Sequence, residues 1–248
     1  MILFFLLTGG MVWYLVHNDR GSKEPIGALW AAAGFGLLAL IFAGVLNGLV
    51  LPESLIDAEP SLYTLIAFLV VGFIEEAAKF FPLALFLWKK KYFNEINDGI
   101  IYFAISGLVF GLAEDIMYTI VYGAQTGLFR IILIPFFHAA GTGIIGYFLA
   151  KAKVEHKPLT TTILVWAGVA VLHGLYNFGI GSGNIFLTLI GLVITLGFTI
   201  GLFILYMKAN DEDKAGGRSA VGHNEFCRSC GKPNKHHMLY CQYCGKLA

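Results

Sequence analysis

The chain has 248 residues, of which 57% are hydrophobic and only 13% are charged, and its formal net charge is +1. This composition excludes an ordinary soluble globular domain, in which roughly a quarter of the residues are charged, and the near-neutral charge gives no indication of a nucleic-acid partner. All four cysteines lie between Cys227 and Cys244, so the hydrophobic part of the chain cannot form an internal disulfide, and cysteine usage implies no compartment.

Seven apolar stretches predict an all-α protein, a polytopic transmembrane helical bundle. Most of them reach the roughly 20 residues that a helix needs to cross the bilayer. The first is short, but it lacks a basic n-region and a small-residue cleavage site, so we do not expect a removable signal peptide. The stretches cover residues 2–16, 28–51, 63–88, 98–122, 129–150, 161–178 and 185–207.

The distribution of Lys and Arg predicts the orientation of this bundle. Basic residues cluster after the first, third and fifth stretches and in the tail, whereas the intervening loops carry only Arg130. By the positive-inside rule, the N-terminus faces outward and the C-terminus faces the cytoplasm. The clusters are Arg20 with Lys23, then Lys89, Lys90 and Lys91, then Lys151, Lys153 and Lys157.

Two pairs of glycines have the spacing that lets membrane helices approach closely. Gly44 and Gly48 form the first pair, and Gly107 and Gly111 form the second. Small residues four apart line many contacts between membrane helices. We therefore expect both pairs to lie at helix contacts.

The composition changes abruptly after the last apolar stretch. The next residues are polar and include glycines, as is typical of a flexible linker. The sequence therefore predicts a membrane domain over residues 1–207, a linker over residues 208–225 and a separate small module over residues 226–248.

This C-terminal module carries two Cys-x-x-Cys-Gly-Lys motifs. Four thiolates suit a tetrahedral Zn²⁺ with no open position, which is typical of structural zinc. The alternative is a pair of redox dithiols, but the duplicated motif favours a zinc ribbon that binds a protein partner or steadies the tail. The predicted ligands are Cys227, Cys230, Cys241 and Cys244.

Ionisable groups within four of the apolar stretches are the main functional signal. Each costs ~2.5–3.5 kcal/mol at the centre of a membrane helix, so such groups usually face a cavity and serve function. They are Glu75, Glu76 and Lys79 in the third stretch, Glu114 and Asp115 in the fourth, His138 in the fifth, and His173 with Asn177 in the sixth.

Helical spacing predicts that these groups are paired. Glu75 lies four residues and Glu76 three residues before Lys79, so either carboxylate can reach the ammonium. We expect one glutamate to pair with Lys79 and the other to be free for chemistry.

Their depth follows from the same counting. At 1.5 Å per residue, Glu75 lies about 18 Å from the outer end of its helix, Glu114 and His138 lie about 12–14 Å from it, and His173 about 8 Å. A water-filled cavity open to the outside would reach all four groups.

Two kinds of hydrolytic chemistry suit this set. A carboxylate near imidazoles can activate water as a general base, while a second His and an Asn donate hydrogen bonds to an oxyanion. Alternatively, Glu and His hold a Zn²⁺ that acidifies the water. Both routes hydrolyse an amide bond, and in the absence of a His-Glu-x-x-His motif the sequence does not separate them.

The same residues resemble the four motifs of the PrsW family, a group of bacterial and archaeal intramembrane proteases similar to the superfamily of CAAX prenyl endopeptidases and bacteriocin-processing enzymes. The resemblance covers about residues 60–180, with the motifs in the right order on successive helices. The motifs are Glu75-Glu76-Ala-Ala-Lys79, Gly107 to Asp115, His138 to Gly146, and His173-Gly-Leu-Tyr-Asn177.

The resemblance implies an intramembrane endopeptidase that releases a membrane-anchored anti-sigma factor by a cut on its outer side. It implies a catalytic core of Glu75, Glu76 and His173, with support from Glu114, His138 and Asn177. The chain departs from the wider superfamily, which usually has Arg one position after Lys79 and His in place of Glu114, and from the usual PrsW pattern, which commonly has Asn in place of Asp115.

Two other functions are compatible with buried ionisable residues. An ion- or proton-coupled transporter also uses chains of Glu, Asp and His, although the sequence shows no internal repeat or pair of broken half-helices of the transporter kind. A non-catalytic membrane scaffold would instead use Glu75 and Glu76 as packing partners of Lys79, and His173 and Asn177 for hydrogen bonds between helices.

Overall fold

The computed structural model describes residues 2–51, 60–123, 125, 130 and 134–220, without the side chains of residues 2–5, 7 and 215–220. These residues form seven α-helices and no strand, which confirms the all-α prediction. The four cysteines of the predicted zinc ribbon lie outside the described residues. The helices are α1 (Ile2–His17), α2 (Ile26–Val50), α3 (Leu62–Trp88), α4 (Ile96–Tyr122), α5 (Ile134–Val154), α6 (Thr160–Gly181) and α7 (Ile185–Ala220).

Four of these helices are long and apolar enough to cross a membrane: α2, α4, α6 and the Ile185–Lys214 part of α7. The 16-residue α1 is short, and α3 carries three charged residues near its middle. Large apolar side chains such as Trp30 and Leu85, each 75% exposed, project from the bundle. Lipid would cover such a surface, because water-exposed apolar patches of this size are rare on soluble proteins.

Helix α4 forms the centre of the bundle. Every residue from 96 to 111 is buried except Val109, and α4 packs against α2, α5 and α7. Contact with α5 is close because glycines face it: a Cβ on Gly99 would collide with the Gly146 carbonyl, and a Cβ on Gly107 with the His138 carbonyl.

The glycine prediction is confirmed for one pair and stays a prediction for the other. Gly107 and Gly111 lie against α5, but a Cβ on Gly44 or Gly48 would meet nothing within 4 Å in the described part of the chain. The glycine of α2 at a tight contact is Gly36, which faces the Ser106 carbonyl of α4. Spacing alone does not tell which face of a helix has a neighbour.

Helix α7 continues past Met207 to Ala220, so the predicted linker is wrong for residues 208–220. The Asp213 carboxylate accepts hydrogen bonds from the backbone N–H groups of Ile96 and Asn97, both at 2.8 Å. These are donors that the first turn of α4 cannot satisfy itself. The polar residues after 207 therefore cap another helix.

This cap brings the end of α1, the start of α4 and the end of α7 to one end of the bundle. The Arg20 backbone N–H, just after α1, donates to Asn210 of α7 at 2.8 Å. Helices that alternate in direction would produce this arrangement. Which end faces the cytoplasm stays a prediction.

A buried carboxyl, Glu24, lies at the same end of the bundle in the loop before α2. The pKa of Glu24 is raised to about 10, mainly because the carboxyl is buried. A hydrogen bond with Asp98 and repulsion by the charges of Asp98, Asp19 and Glu95 raise it further. A protonated Glu24 therefore donates to the Asp98 carboxylate.

We expect Glu24→Gln to stabilise the protein at pH 8 and to have little effect at pH 5. The folded-state pKa lies above the ordinary value of 4.5, so the stability that the Glu24 proton contributes is complete below about pH 4.5 and is lost as the pH rises. Gln keeps a donor for Asp98 without titrating, and the gain should be at least about 1 kcal/mol. Thermal unfolding in detergent at both pH values measures this.

Asp211→Asn serves as the control, because its ion pair with Arg20 is exposed and such pairs contribute little. Equal changes in melting temperature for Glu24→Gln at pH 5 and pH 8 would contradict the prediction.

Candidate functional site

Lys79 of α3 organises a buried polar network between the helices. Its ammonium is paired with the Glu76 carboxylate one turn earlier, lies 2.9 Å from His138 Nδ1 on α5 and stands 4.5 Å from the centre of the Phe110 ring on α4. All three N–H groups of the ammonium therefore have a partner. Glu76 is the paired glutamate, and Glu75 is the other one.

The partners of His138 determine where its proton lies. An ammonium only donates, so His138 Nδ1 accepts from Lys79 and the proton resides on Nε2. That Nε2–H points at Glu114 Oε2 of α4, 2.9 Å away. His138 is thus a neutral imidazole that connects α3 to α4.

The same reasoning places the proton of His173 on α6. Its Nδ1 lies 2.8 Å from Glu76 Oε1, and an ionised carboxylate only accepts, so Nδ1–H donates. The lone pair of Nε2 then faces Glu75 Oε2 at 3.4 Å.

Two buried acceptors therefore face each other at the centre of the network. Glu75 Oε2 has no hydrogen-bond donor among the described residues, and His173 Nε2 offers it a lone pair rather than a proton. Glu75 is 8% exposed and His173 is 1% exposed. A water molecule or a cation between these two atoms would satisfy both.

Arg130 closes the other end of the network. Its Nη2 lies 3.1 Å from Glu114 Oε1, its Nε donates to Asp115 Oδ1 at 2.9 Å, and its guanidinium lies 3.8 Å above the Tyr118 ring. The Arg130 and Glu114 side chains are 18% and 17% exposed, whereas the inner groups are almost completely buried. This end of the network is the one that solvent reaches.

An aromatic wall supports the two histidines from α5. The Phe137 ring stacks on Tyr176 with centroids 4.1 Å apart and meets the His173 ring edge-on at 5.1 Å. A wall of this kind holds the imidazoles in place and keeps bulk water from that side.

Three residues have the donor set of a catalytic metal centre. Glu75, His138 and His173 each offer a ligand atom, and these atoms all lie within 4.8 Å of one another. Three protein ligands with an open fourth position are typical of catalytic zinc. The unpartnered Glu75 Oε2 and the His173 Nε2 lone pair fit a cation as they stand, and Glu76 orients His173 as a carboxylate orients a zinc-bound imidazole. His138 fits only after it gives up Lys79 or Glu114, because both of its nitrogens are bonded.

Five of the six predicted catalytic residues meet in one network, namely Glu75, Glu76, Glu114, His138 and His173. The sixth, Asn177, is half-buried one turn further along α6 and makes no side-chain hydrogen bond within the described part of the chain.

Sequence reasoning did not assign a role to Arg130 or to Phe137. The only signal for Arg130 was that it is the single basic residue of the loops predicted to face outward. Phe137 gave no signal, because an aromatic residue next to a histidine is common in an apolar helix.

The chain resembles known proteases. The sequence model of one family, described as PrsW family intramembrane metalloprotease, matches residues 24–207. A curated protein named Protease PrsW from Bacillus subtilis is 36% identical over 187 residues, which cover 71% of this chain and 83% of the relative. Another from Geobacillus kaustophilus is 30% identical over 185 residues, or 71% and 80% of the two chains. No solved structure matches the chain significantly.

We expect Gly111→Ala to destabilise the protein, because its Cβ would lie 2.8 Å from His138 Cδ2 and 2.9 Å from Pro135 Cα. Overpacking of this kind costs about 1–3 kcal/mol. Gly48→Ala is the matched control, since a Cβ there meets nothing within 4 Å among the described residues. Melting temperatures of the two variants in detergent measure the difference, and equal values would contradict the close contact between α4 and α5.

Proposed function

Because the chain belongs to the PrsW family of intramembrane metalloproteases, we propose that Glu75 and His173 together hold and activate the water that hydrolyses a peptide bond. The observation that carries this proposal is the pair of buried acceptors, Glu75 Oε2 and His173 Nε2, at 3.4 Å. A water between them can donate to both and direct its own lone pair at a carbonyl carbon.

The chain is an intramembrane protease by its family and its relatives. This identity replaces the transporter and scaffold alternatives. A protease of this kind acts on a membrane protein in a lipid environment.

We assign Glu75 the role of general base. It accepts the proton of the attacking water and can return it to the amine that leaves. Glu76 holds His173 through Nδ1, so that the Nε2 lone pair stays directed at the same water. Lys79 neutralises the charge of Glu76, which is buried and therefore not stabilised by bulk water.

Supporting roles fall to the remaining predicted residues. Glu114 and Lys79 fix the ring of His138 between them. Asn177 follows His173 by one helical turn, and its amide has no partner among the described residues, so its N–H groups are available for the oxygen of the substrate carbonyl. Donors placed for a developing oxyanion lower the barrier of acyl transfer.

The proposal also includes a catalytic metal, with Glu75, His138 and His173 as its ligands. A divalent cation bound there would acidify the water and polarise the scissile carbonyl. In that case Glu75 and His173 would bind the cation with the lone pairs that otherwise hold the water, and His138 would give up its contact with Lys79 or Glu114. Glu76 would still orient His173, and Lys79 would still balance the charge of Glu76.

We further propose a membrane-anchored, anti-sigma-factor-like substrate that is cut in the outer half of the membrane. The support is the motif resemblance and the estimated depth of the four ionisable groups below the outer surface. With the orientation predicted from the sequence, residues 226–248 would lie in the cytoplasm, where a zinc ribbon formed by Cys227, Cys230, Cys241 and Cys244 would bind a protein partner.

Replacement of the central groups should abolish proteolysis without unfolding the protein. We expect Glu75→Gln, Glu76→Gln and His173→Ala each to lower cleavage by at least ~100-fold, since a positioned general base contributes about that much or more. Purified variants in proteoliposomes with a membrane-tethered substrate measure this, and a proteomic comparison of wild-type and Glu75→Gln membranes identifies the substrate.

Asp211→Asn is the control, because its side chain is 71% exposed and lies at the opposite end of the bundle from Arg130 and Glu114. Full proteolysis by both Glu75→Gln and Glu76→Gln would refute the assignment of the site.

The metal content of the full chain tests the tail and the catalytic centre separately. We expect the double variant Cys227→Ser/Cys230→Ser to lose one Zn²⁺ per chain relative to the wild type, because two of four thiolates cannot hold it. We expect His173→Ala to lose the catalytic metal while it keeps the tail zinc. Elemental analysis after dialysis gives both numbers, and an unchanged zinc content in the cysteine variant would rule out the ribbon.

A further inference from the structure

We propose that Arg130 is a positioning residue of the protease, which acts through Glu114 to fix the orientation of His138. Nothing in the motif resemblance includes Arg130. The inference rests on the proposed function, because it concerns how the groups around the reactive water are held.

The first argument is that the two oxygens of Glu114 contact different partners. Oε1 lies 3.1 Å from Arg130 Nη2, and Oε2 lies 2.9 Å from His138 Nε2. The carboxylate is thus held from one side by the guanidinium and holds the imidazole on the other. Without Arg130, Glu114 could rotate to solvent, since it lies at the exposed end of the network.

The second argument is the fork geometry of the contact. Glu114 and Asp115 are adjacent on α4, so their side chains leave the helix in different directions, and one guanidinium reaches both through Nη2 and Nε. The face of the Tyr118 ring supports it at 3.8 Å. Lys cannot reproduce a planar fork that binds two carboxylates and stacks on a ring.

The third argument is charge. Glu114 and Asp115 place two carboxylates on successive residues at the mouth of a membrane-embedded site, and Arg130 is their only cationic partner among the described residues. Charge-assisted hydrogen bonds of this kind are short and directional. The guanidinium therefore holds the Glu114 carboxylate where it accepts the hydrogen bond from His138 Nε2–H.

The experiment measures kcat and KM of purified full-length variants in proteoliposomes with a membrane-tethered peptide substrate. We expect Arg130→Gln to lower kcat by roughly 10–100-fold, the range seen when partners of active-site ligands are removed, with KM changed by less than about 3-fold. Arg130→Lys should recover part of that loss. Arg20→Gln is the control, because its ion pair with Asp211 is exposed and distant from the site.

Two further readouts separate positioning from stability. In a double variant, Glu114→Gln should remove the effect of Arg130→Gln, since residues that act as one unit are not additive. In ¹⁵N-histidine spectra, with His138 identified from the His138→Ala variant, Arg130→Gln should shift the His138 Nε2–H signal because the hydrogen bond to Glu114 is weakened, while Lys79 keeps the proton on Nε2.

Full kcat in Arg130→Gln, additive losses in the double variant, or an unchanged His138 Nε2–H signal would each overturn the proposal. If Arg130→Gln does not fold, Arg130→Lys and its spectrum decide in the same way. A loss of activity in Glu75→Gln with none in Arg130→Gln would reject only the role of Arg130, whereas full activity in both would reject the proposed function itself.

Discussion

The Lys79 ammonium is the interaction on which the site depends. It is buried, with 1% of the residue exposed, and its three N–H groups contact a carboxylate, an imidazole nitrogen and the face of a ring. A buried ion pair is stable only when hydrogen bonds satisfy both partners, and removal of one partner leaves an uncompensated charge. Because Lys79 donates to His138 and keeps Glu76 ionised, one cation sets the proton positions of both imidazoles. The tautomers that the chemistry requires are therefore consequences of a single residue on α3.

Close helix packing makes these contacts geometrically available. His138 lies where Gly107 and Gly111 let α5 approach α4, and a methyl group on either glycine would collide with it. His173 has a comparable surrounding, since its neighbour Gly174 lies against α3, where a Cβ on Gly72 would meet the α6 backbone. Side chains on three helices can then meet within hydrogen-bond distance. A larger residue at these positions would separate the groups by more than a hydrogen bond tolerates.

The sequence predicted the helices and most of the site because both leave strong physical signals. Long apolar stretches locate helices to within a few residues, and ionisable groups inside them are costly enough to mark function. It could not tell whether Glu75 or Glu76 pairs with Lys79, since both spacings allow contact and only the rotation of α3 against α6 decides. It misassigned residues 208–220 because a polar segment whose residues cap another helix, as Asp213 does, resembles a flexible linker in composition. Arg130 was missed because its partners are adjacent only after the chain folds.

The balance of charge within the network indicates which group is reactive. Glu76 has Lys79 as its partner, and Glu114 and Asp115 share Arg130. Glu75 lies between these two pairs without a cation or a donor of its own in the described part of the chain, and its free oxygen lies 3.4 Å from His173 Nε2, which offers it a lone pair. A carboxylate in such a place gains more than its neighbours from a proton or a metal ion, because nothing else compensates its charge. The ion pairs of the other carboxylates thus leave Glu75 as the one carboxylate of the network without a cationic partner among the described residues. We propose that the water which donates a hydrogen bond to Glu75 Oε2 is the one that attacks the peptide bond.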